Sequence, residues 1–390
     1  MTVTAFFLLV AAGFLAVHLA SMVLALWHMR GRADARVVAL TDRIVLLRPV
    51  AGSDPFDAET LGSSFRQDWP DYEIIFCAPS DTDASVPLVR QLIADHPHIR
   101  ARLLTGQEKI TGNPKLDNLW KGWGASDAPW VCMSDSNLLL PPDYLRTLAG
   151  RWRANTGLVT SPACGQRPEG LPARIEAAFL NSNQGRLQLA AGAMNRGYAQ
   201  GKTLFWNRAM LEATGGLLPL GRWLAEDVAS TKLVRAQGKK VRLAPRLFTQ
   251  PIGRKTFRQV WDRQLRWSRV RRDGFPTTFP AEILNGAFLP VLFLAVSGNW
   301  LWIVPFLMAW FGAEWLLCRL AGWPSAPADV LAMVIRDAMM PVILVTTFAS
   351  RQINWRGHDM QSAGLSHAVP EAVKPQTTGK QQTTGKARHS

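Results

Sequence analysis

Cysteine is scarce in this 390-residue chain, and Cys77, Cys132, Cys164 and Cys318 stand far apart with no Cys-x-x-Cys pair. That spacing excludes a disulfide framework and a thiolate zinc site, so the four read as small buried apolar residues of a reducing compartment. A metal site here must use oxygen ligands. Zinc-finger spacing, an RNP sequence and a basic-region heptad are also missing, so the formal net charge of +15 does not point to nucleic acid. Many basic residues instead flank apolar segments, as in His28-Met29-Arg30-Gly31-Arg32 and from Arg266 to Arg272. That placement fits anionic lipid headgroups.

Formal charge is absent from Thr4 to Trp27, a run longer than the roughly 20 residues that cross a hydrocarbon core. It reads as a transmembrane helix over residues 1–29. A signal peptide would have its basic residues first and a cleavage site after, whereas here the basic cluster follows the apolar run. Arg30, Arg32 and Arg36 predict that the next domain faces the cytoplasm. A chain of this length leaves room for one catalytic-sized domain beside its membrane segments.

Beyond this helix, short β-rich runs (Arg43 to Val50, Tyr72 to Ala78, Ile99 to Leu104 and Trp130 to Ser134) recur about every 25 to 30 residues with helical patterns between them. This is the signature of βαβ units and a mostly parallel sheet. Ligands bind such sheets beyond the carboxyl ends of the strands, which puts Asp81 and Asp83 after the second run, and Asp135 after the fourth, where a nucleotide would lie. Apolar character returns from Ile283 to Leu317, broken by Ser297-Gly298-Asn299, and reads as a helical hairpin. A third stretch, Val330 to Ala349, carries Arg336 and Asp337, costly at mid-bilayer unless they face protein or water, and reads as re-entrant or interfacial. The tail from 361 to 390 repeats Gln-Thr-Thr-Gly-Lys and reads as disordered.

Three local patterns carry candidate chemistry. An apolar strand ending in Asp135-Ser136-Asn137 offers a carboxylate that can hold Mg²⁺ or Mn²⁺ against a diphosphate, although Asp-Ser-Asn is also ordinary turn chemistry. Ala225-Glu226-Asp227 opens an amphipathic stretch. Asp227 can serve there as the general base for an acceptor hydroxyl, or both acids can serve only the helix dipole. Arg263-Gln264-Leu265-Arg266-Trp267 lies in a basic, Trp-containing stretch that suits either a diphosphate clamp or an interfacial helix.

Taken in order, these patterns resemble glycosyltransferase family 21, the ceramide glucosyltransferases and the related bacterial hopanoid glucosaminyltransferases. Gly112-Asn113-Pro114-Lys115-Leu116-Asp117-Asn118 looks like the family's Asn-Pro-Lys-x-x-Asn segment. Gly201-Lys202-Thr203 before a short strand and a closing Trp355-Arg356-Gly357 extend the match over roughly residues 40 to 358. The resemblance implies a GT-A fold, a Rossmann-like domain over 40–255. An amphipathic Arg/Trp segment over 256–280 and a membrane region over 281–350 would follow it. It further implies that Asp135 ligates a divalent metal (Mg²⁺ or Mn²⁺), that Asp227 is the base, and that Lys115, Lys202, Arg263, Arg266 and Trp267 lie near the diphosphate and acceptor. Asp81 and Asp83 both remain candidates for the uridine contact, because the acidic positions are offset from the family's usual arrangement. Animal ceramide enzymes carry a His in the region of Asn181-Ser182-Asn183-Gln184, so the acceptor is open. The expected activity is inverting transfer from a UDP-sugar, UDP-glucose first, to a lipid such as ceramide. N-acetylglucosamine transfer to a hopanoid-type lipid, a processive polysaccharide synthase and an inactive membrane scaffold are the alternatives.

Overall fold

A computed structural model describes residues 3–31, 42–223, 225–349, 352–355 and 358–361. Arg32, Arg36, Arg356, Gly357 and the repeat-bearing tail lie outside the described residues.

The four β-rich runs form strands β1 (Ile44–Pro49), β2 (Tyr72–Cys77), β3 (Ala101–Leu104) and β4 (Trp130–Ser134), each parallel to its neighbour. Further along the chain come β5 (Thr156–Thr160), β6 (Ala163–Glu169), β7 (Thr203–Asn207), β8 (Lys240–Leu243) and β9 (Phe248–Arg254). Seven of these make one sheet in the order β3-β2-β1-β4-β7-β5-β8, while β6 and β9 pair separately. Only β7 breaks the parallel pattern of the large sheet, running antiparallel between β4 and β5. Because side chains alternate along a strand, Leu46, Phe76, Cys132 and Phe205 join the core on one face of the sheet. Leu47, Ile75, Met133 and Leu204 join the core on the other. Burial on both faces explains why these strands read as continuous apolar runs.

Three helices are long and apolar enough to cross a membrane: Thr4–Arg30, Trp300–Ala321 and Pro327–Ala349. The hairpin expected between Ile283 and Leu317 is replaced by unequal pieces. Its first arm is a 9-residue helix, Phe288–Val296, about 14 Å long and far short of a hydrocarbon core of about 30 Å. The third stretch forms one continuous helix of 23 residues. Its Arg336 is buried and donates to Glu314 at 3.0 Å, to Asp337 at 2.7 Å and to Ser182 at 2.7 Å, so the charge faces protein. The N-terminal helix is tied to the catalytic domain by a 3.0 Å hydrogen bond between His28 Nε2 and the Ala244 carbonyl.

One guanidinium organises the carboxyl end of the sheet. Arg48, on β1 and fully buried, donates to Ser134 Oγ at 3.1 Å and to the carbonyls of Thr60, Ser136 and Leu138 at 3.0, 3.0 and 3.1 Å. It therefore fixes the loop after β4, which carries Asp135. Arg48→Leu would leave these acceptors without their donor. It is expected to lower stability by about 3 kcal/mol or more, read as a fall in the denaturation midpoint of the purified protein. Arg48→Lys, which keeps the charge but loses the planar fork, should lie between the two. An unchanged midpoint for Arg48→Leu would refute this dependence.

Candidate active site

Pairing in the sheet brings distant segments to one place. Ser134 at the end of β4 is opposite Thr203 at the start of antiparallel β7, so Lys202 arrives beside Asp135, whose amide donates to the Lys202 carbonyl at 3.1 Å. On the other side, the Pro114–Gly124 helix begins with Asn113 as its cap, accepting from the amides of Lys115 at 2.9 Å and Leu116 at 3.3 Å, with Pro114 in the first turn. Asn118 anchors this helix across the strand ends by donating to the carbonyls of Cys77 at 2.7 Å and Val50 at 3.3 Å. The helix Glu226–Ala236 supplies the remaining acids from its first turn.

These elements enclose a cavity of about 660 Å³. Asp135, Lys115, Lys202, Asp227, Arg263, Arg266 and Trp267 all line it. Lys115 Nζ meets Asp135 Oδ1 at 2.6 Å, Glu226 Oε1 at 2.7 Å and the Gly201 carbonyl at 2.6 Å. Lys202 Nζ meets Asp135 Oδ2 and Asn137 Oδ1, each at 3.0 Å. Gly201 has no room for a side chain, since a Cβ would stand 2.5 Å from Glu226 Oε1. Its amide donates to Asp227 Oδ2 at 3.1 Å, while Val228 N donates to Asp227 Oδ1 at 2.7 Å.

These surroundings separate the carboxylates. Burial opposes ionisation of Asp135, but the adjacent Lys115 and Lys202 outweigh it and hold the carboxyl well below its usual range. For Asp227, burial and the neighbouring Glu226 charge raise the pKa to about 6, against the lowering pull of the Gly201 and Val228 amides. Burial likewise disfavours the charge on Lys115, yet Asp135 and Glu226 reverse the balance and raise its pKa. Lys202 is shifted down by burial. The cavity wall presents Lys115, Lys202, Arg235, Arg263, Arg266 and Arg271 against Asp135, Glu226, Asp227 and Glu282, an excess of positive charge suited to a diphosphate.

The Arg-x-x-Arg-Trp sequence lies on the helix Phe257–Gly274, which starts with a capping box between Thr256 and Gln259. Arg263 is braced by Glu176 at 2.5 Å and lies over the Trp267 ring, 5.4 Å from its centre. Asp81 and Asp83 are not among the residues lining the cavity. Asp83 accepts from Gly52 N at 3.0 Å and from Ser85 N and Oγ at 2.9 and 2.6 Å, bracing the loops after β1 and β2, while Asp81 is exposed. Asn113, which opens the Asn-Pro-Lys segment but carries no role of its own in the sequence, donates to Glu226 Oε2 at 3.0 Å and so joins two motifs. An Asn directly before a helix-opening Pro was the available signal. Gln184 and Arg271, from stretches noted in the sequence without a role for either, line the cavity too, as does Glu282, which no local pattern announces.

Among the described residues no group of three or more His, Cys, Asp or Glu side chains forms a metal cage. A divalent ion of the Mg²⁺ type is commonly held by one or two carboxylates together with substrate phosphates, and Asp135 is the carboxylate that would be shared with it, one of its two lysine contacts giving way to the ion.

Comparison with known proteins gives the family and the fold. Ceramide glucosyltransferase 1 of Caenorhabditis elegans is 26% identical over 353 residues, covering 85% of this chain and 75% of that protein. Ceramide glucosyltransferase 3 of the same organism is 25% identical over 341 residues, covering 84% and 74%. The solved mannosyltransferase PcManGT from Pyrobaculum calidifontis, in complex with GDP-Man and Mn²⁺, aligns with a TM-score of 0.51 at 17% identity, covering 89% of this chain and 98% of that one. That likeness shows the GT-A fold. The family model described as glycosyl transferase family 21 matches residues 11–364. The chain therefore belongs to glycosyl transferase family 21 and is a glycosyltransferase similar to the ceramide glucosyltransferases.

Proposed function

We propose that this enzyme transfers glucose from UDP-glucose to the primary hydroxyl of a ceramide-like lipid, inverting the anomeric carbon, at the cytoplasmic face of a membrane. The observation that carries the reading is the role of Gly201. Its carbonyl accepts from Lys115, and its amide donates to Asp227, so a cationic diphosphate site and a carboxylate with a pKa of about 6 are adjacent. The acceptor oxygen attacks the anomeric carbon as its proton passes to Asp227. The bond from that carbon to the diphosphate breaks, and its electron pair leaves with UDP. Lys115 and Lys202 stabilise the leaving diphosphate together with Arg263 and Arg266 of the cavity lining, and Trp267 packs against the sugar or acceptor. Asp135 would hold the divalent ion, which when bound neutralises charge developing on the phosphate oxygens. Glu226 is committed to Lys115 and Asn113, which leaves Asp227 as the base and favours a single displacement. Uridine recognition falls to the loops braced by Asp83, with Asp81 supplying the exposed carboxylate.

A second reading, N-acetylglucosamine transfer to a hopanoid-type lipid, is favoured by Gln184 on the cavity wall, in the segment where animal enzymes carry a His. Mass analysis of the glycolipid product decides between them.

Three outcomes are expected. Asp135→Asn should abolish the Mn²⁺ dependence of UDP binding in calorimetry and most turnover; retained metal-dependent binding would return Asp135 to a turn role. A reporter fused after Gly170 should be reachable from the cytoplasmic side alone, and access from the other side would contradict the topology. For the base, Asp227→Asn should keep donor affinity while single-turnover transfer falls by about 10²-fold or more. Asp227 works ionised and its pKa is raised to about 6, so the wild-type rate should fall as pH drops through that value and level off above it. Glu226→Gln, which loosens Lys115, should raise the donor KM more than it lowers kcat. Equal, small losses in the two mutants would refute the base assignment and leave a helix-dipole role.

A further inference from the structure

Glu176 is 1% exposed and lies on the helix Leu171–Ala178, between Ile175 and Ala177, which are buried with it. A carboxylate in such a place costs free energy unless donors converge on it. Two do, and both come from the Arg-x-x-Arg-Trp sequence: Arg263 Nη1 donates to Oε1 at 2.5 Å, and Gln264 Nε2 donates to Oε2 at 3.1 Å. Gln264 in turn accepts from Gln184 Nε2 at 3.2 Å through its own oxygen. Glu176 is not part of the cavity wall, whereas Arg263 and Gln184 are. It reaches the cavity through these other side chains.

The structure assigns Glu176 as a positioning residue for donor binding, one that holds the Arg263 guanidinium at the cavity wall before the nucleotide arrives. The assignment rests on the diphosphate reading above. Arg263 needs holding because other cations share its cavity. Burial lowers the Lys202 pKa, and the Arg263 charge adds to that against the pull of Asp135, so the two cations are close enough to repel. Left to itself, a partly exposed arginine would relieve that repulsion by turning toward water. Glu176 opposes this from the buried side, and the Trp267 ring, 5.4 Å from the guanidinium, supports it from another. A diphosphate then meets a cation whose rotamer is already fixed, which lowers the ordering cost of binding. The pairing is specific to a carboxylate. Arginine only donates, and Gln264 offers Glu176 its NH₂ group, so an amide at position 176 would have a single oxygen for two donors. If that oxygen stayed with Arg263, Gln264 would have to turn over, which sets its NH₂ group against that of Gln184.

The test uses the full-length enzyme in lipid nanodiscs with UDP and Mn²⁺, and reads UDP affinity by calorimetry beside the denaturation midpoint. Glu176→Gln is expected to weaken UDP binding by about tenfold. In an Arg263→Ala background, itself expected to bind UDP about tenfold or more weakly, the same substitution should cost no further affinity, because the side chain it positions is gone. Glu169→Gln is the control. Glu169 makes the same kind of pair with Arg254, at 3.3 Å, on the exposed surface, and its replacement should leave UDP affinity unchanged. Should Glu176→Gln fail to fold, Glu176→Asp, which keeps the charge but withdraws it by one methylene, goes through the same cycle and should show the same non-additivity. Wild-type affinity in Glu176→Gln, an equal loss in both backgrounds, or a matching loss in Glu169→Gln would overturn the positioning role while leaving Arg263 as a diphosphate contact. Wild-type affinity in Arg263→Ala would instead overturn that contact, and the positioning role with it.

Discussion

The ammonium of Lys115 lies within hydrogen-bonding distance of three oxygens from three segments far apart in sequence: Asp135 after β4, Gly201 before β7, and Glu226 at the start of its helix. Removing one ammonium from water costs several kcal/mol even after relaxation, and only close, well-directed partners offset it. The rise in the Lys115 pKa despite burial shows that these partners do. The constraint acts in both directions. Without Lys115, Asp135 and Glu226 would be two buried carboxylates facing each other's charge, and Gly201 would lose the contact that sets its carbonyl. The spacing of the three motifs therefore depends on one side chain.

That dependence also sorts the two adjacent acids. Glu226 points to Lys115 and Asn113, whereas Asp227 accepts only backbone amides. Burial and the neighbouring Glu226 charge raise the Asp227 pKa to about 6 against the pull of Lys115 and the two amides, which suits it to accept a proton near neutrality. The helix dipole acts on both residues alike and cannot produce this difference.

The sheet was legible because β1, β2 and β4 are buried on both faces and so read as compact apolar runs, each followed by polar residues at the ligand-bearing end. The later strands were less visible: β6 carries Gln166, Arg167 and Glu169 toward partly exposed surroundings, and β9 contains both Pro251 and Gly253, so neither shows a clean apolar period. Hydropathy also misjudged the segment after Ile283, because it counts apolar residues without registering where the backbone turns. Gly286 and Gly298 both adopt positive φ there and cut the first arm to a single short helix. The bracing contact of Asp83 was not legible for a related reason: its hydrogen bond with the Gly52 amide joins residues 31 positions apart and has no local signature.

The charges among the long apolar helices extend the same physics. Arg336 was recognisable as an expensive intramembrane residue, but its bidentate partner Glu314 lies on the preceding spanning helix. A buried ion pair of this kind contributes little net stability compared with well-packed apolar residues, while breaking it leaves an uncompensated charge. What it does provide is registry. Arg336 also donates to Ser182 Oγ and to the Ala178 carbonyl, so the two spanning helices and the π-helical turn are held at one relative height. Gln184 follows Ser182 on that turn, and Asn183 between them donates to Met340 Sδ at 3.3 Å. The relative height of these helices is thus set by polar contacts between them, which apolar packing alone, being tolerant of sliding, would fix less sharply.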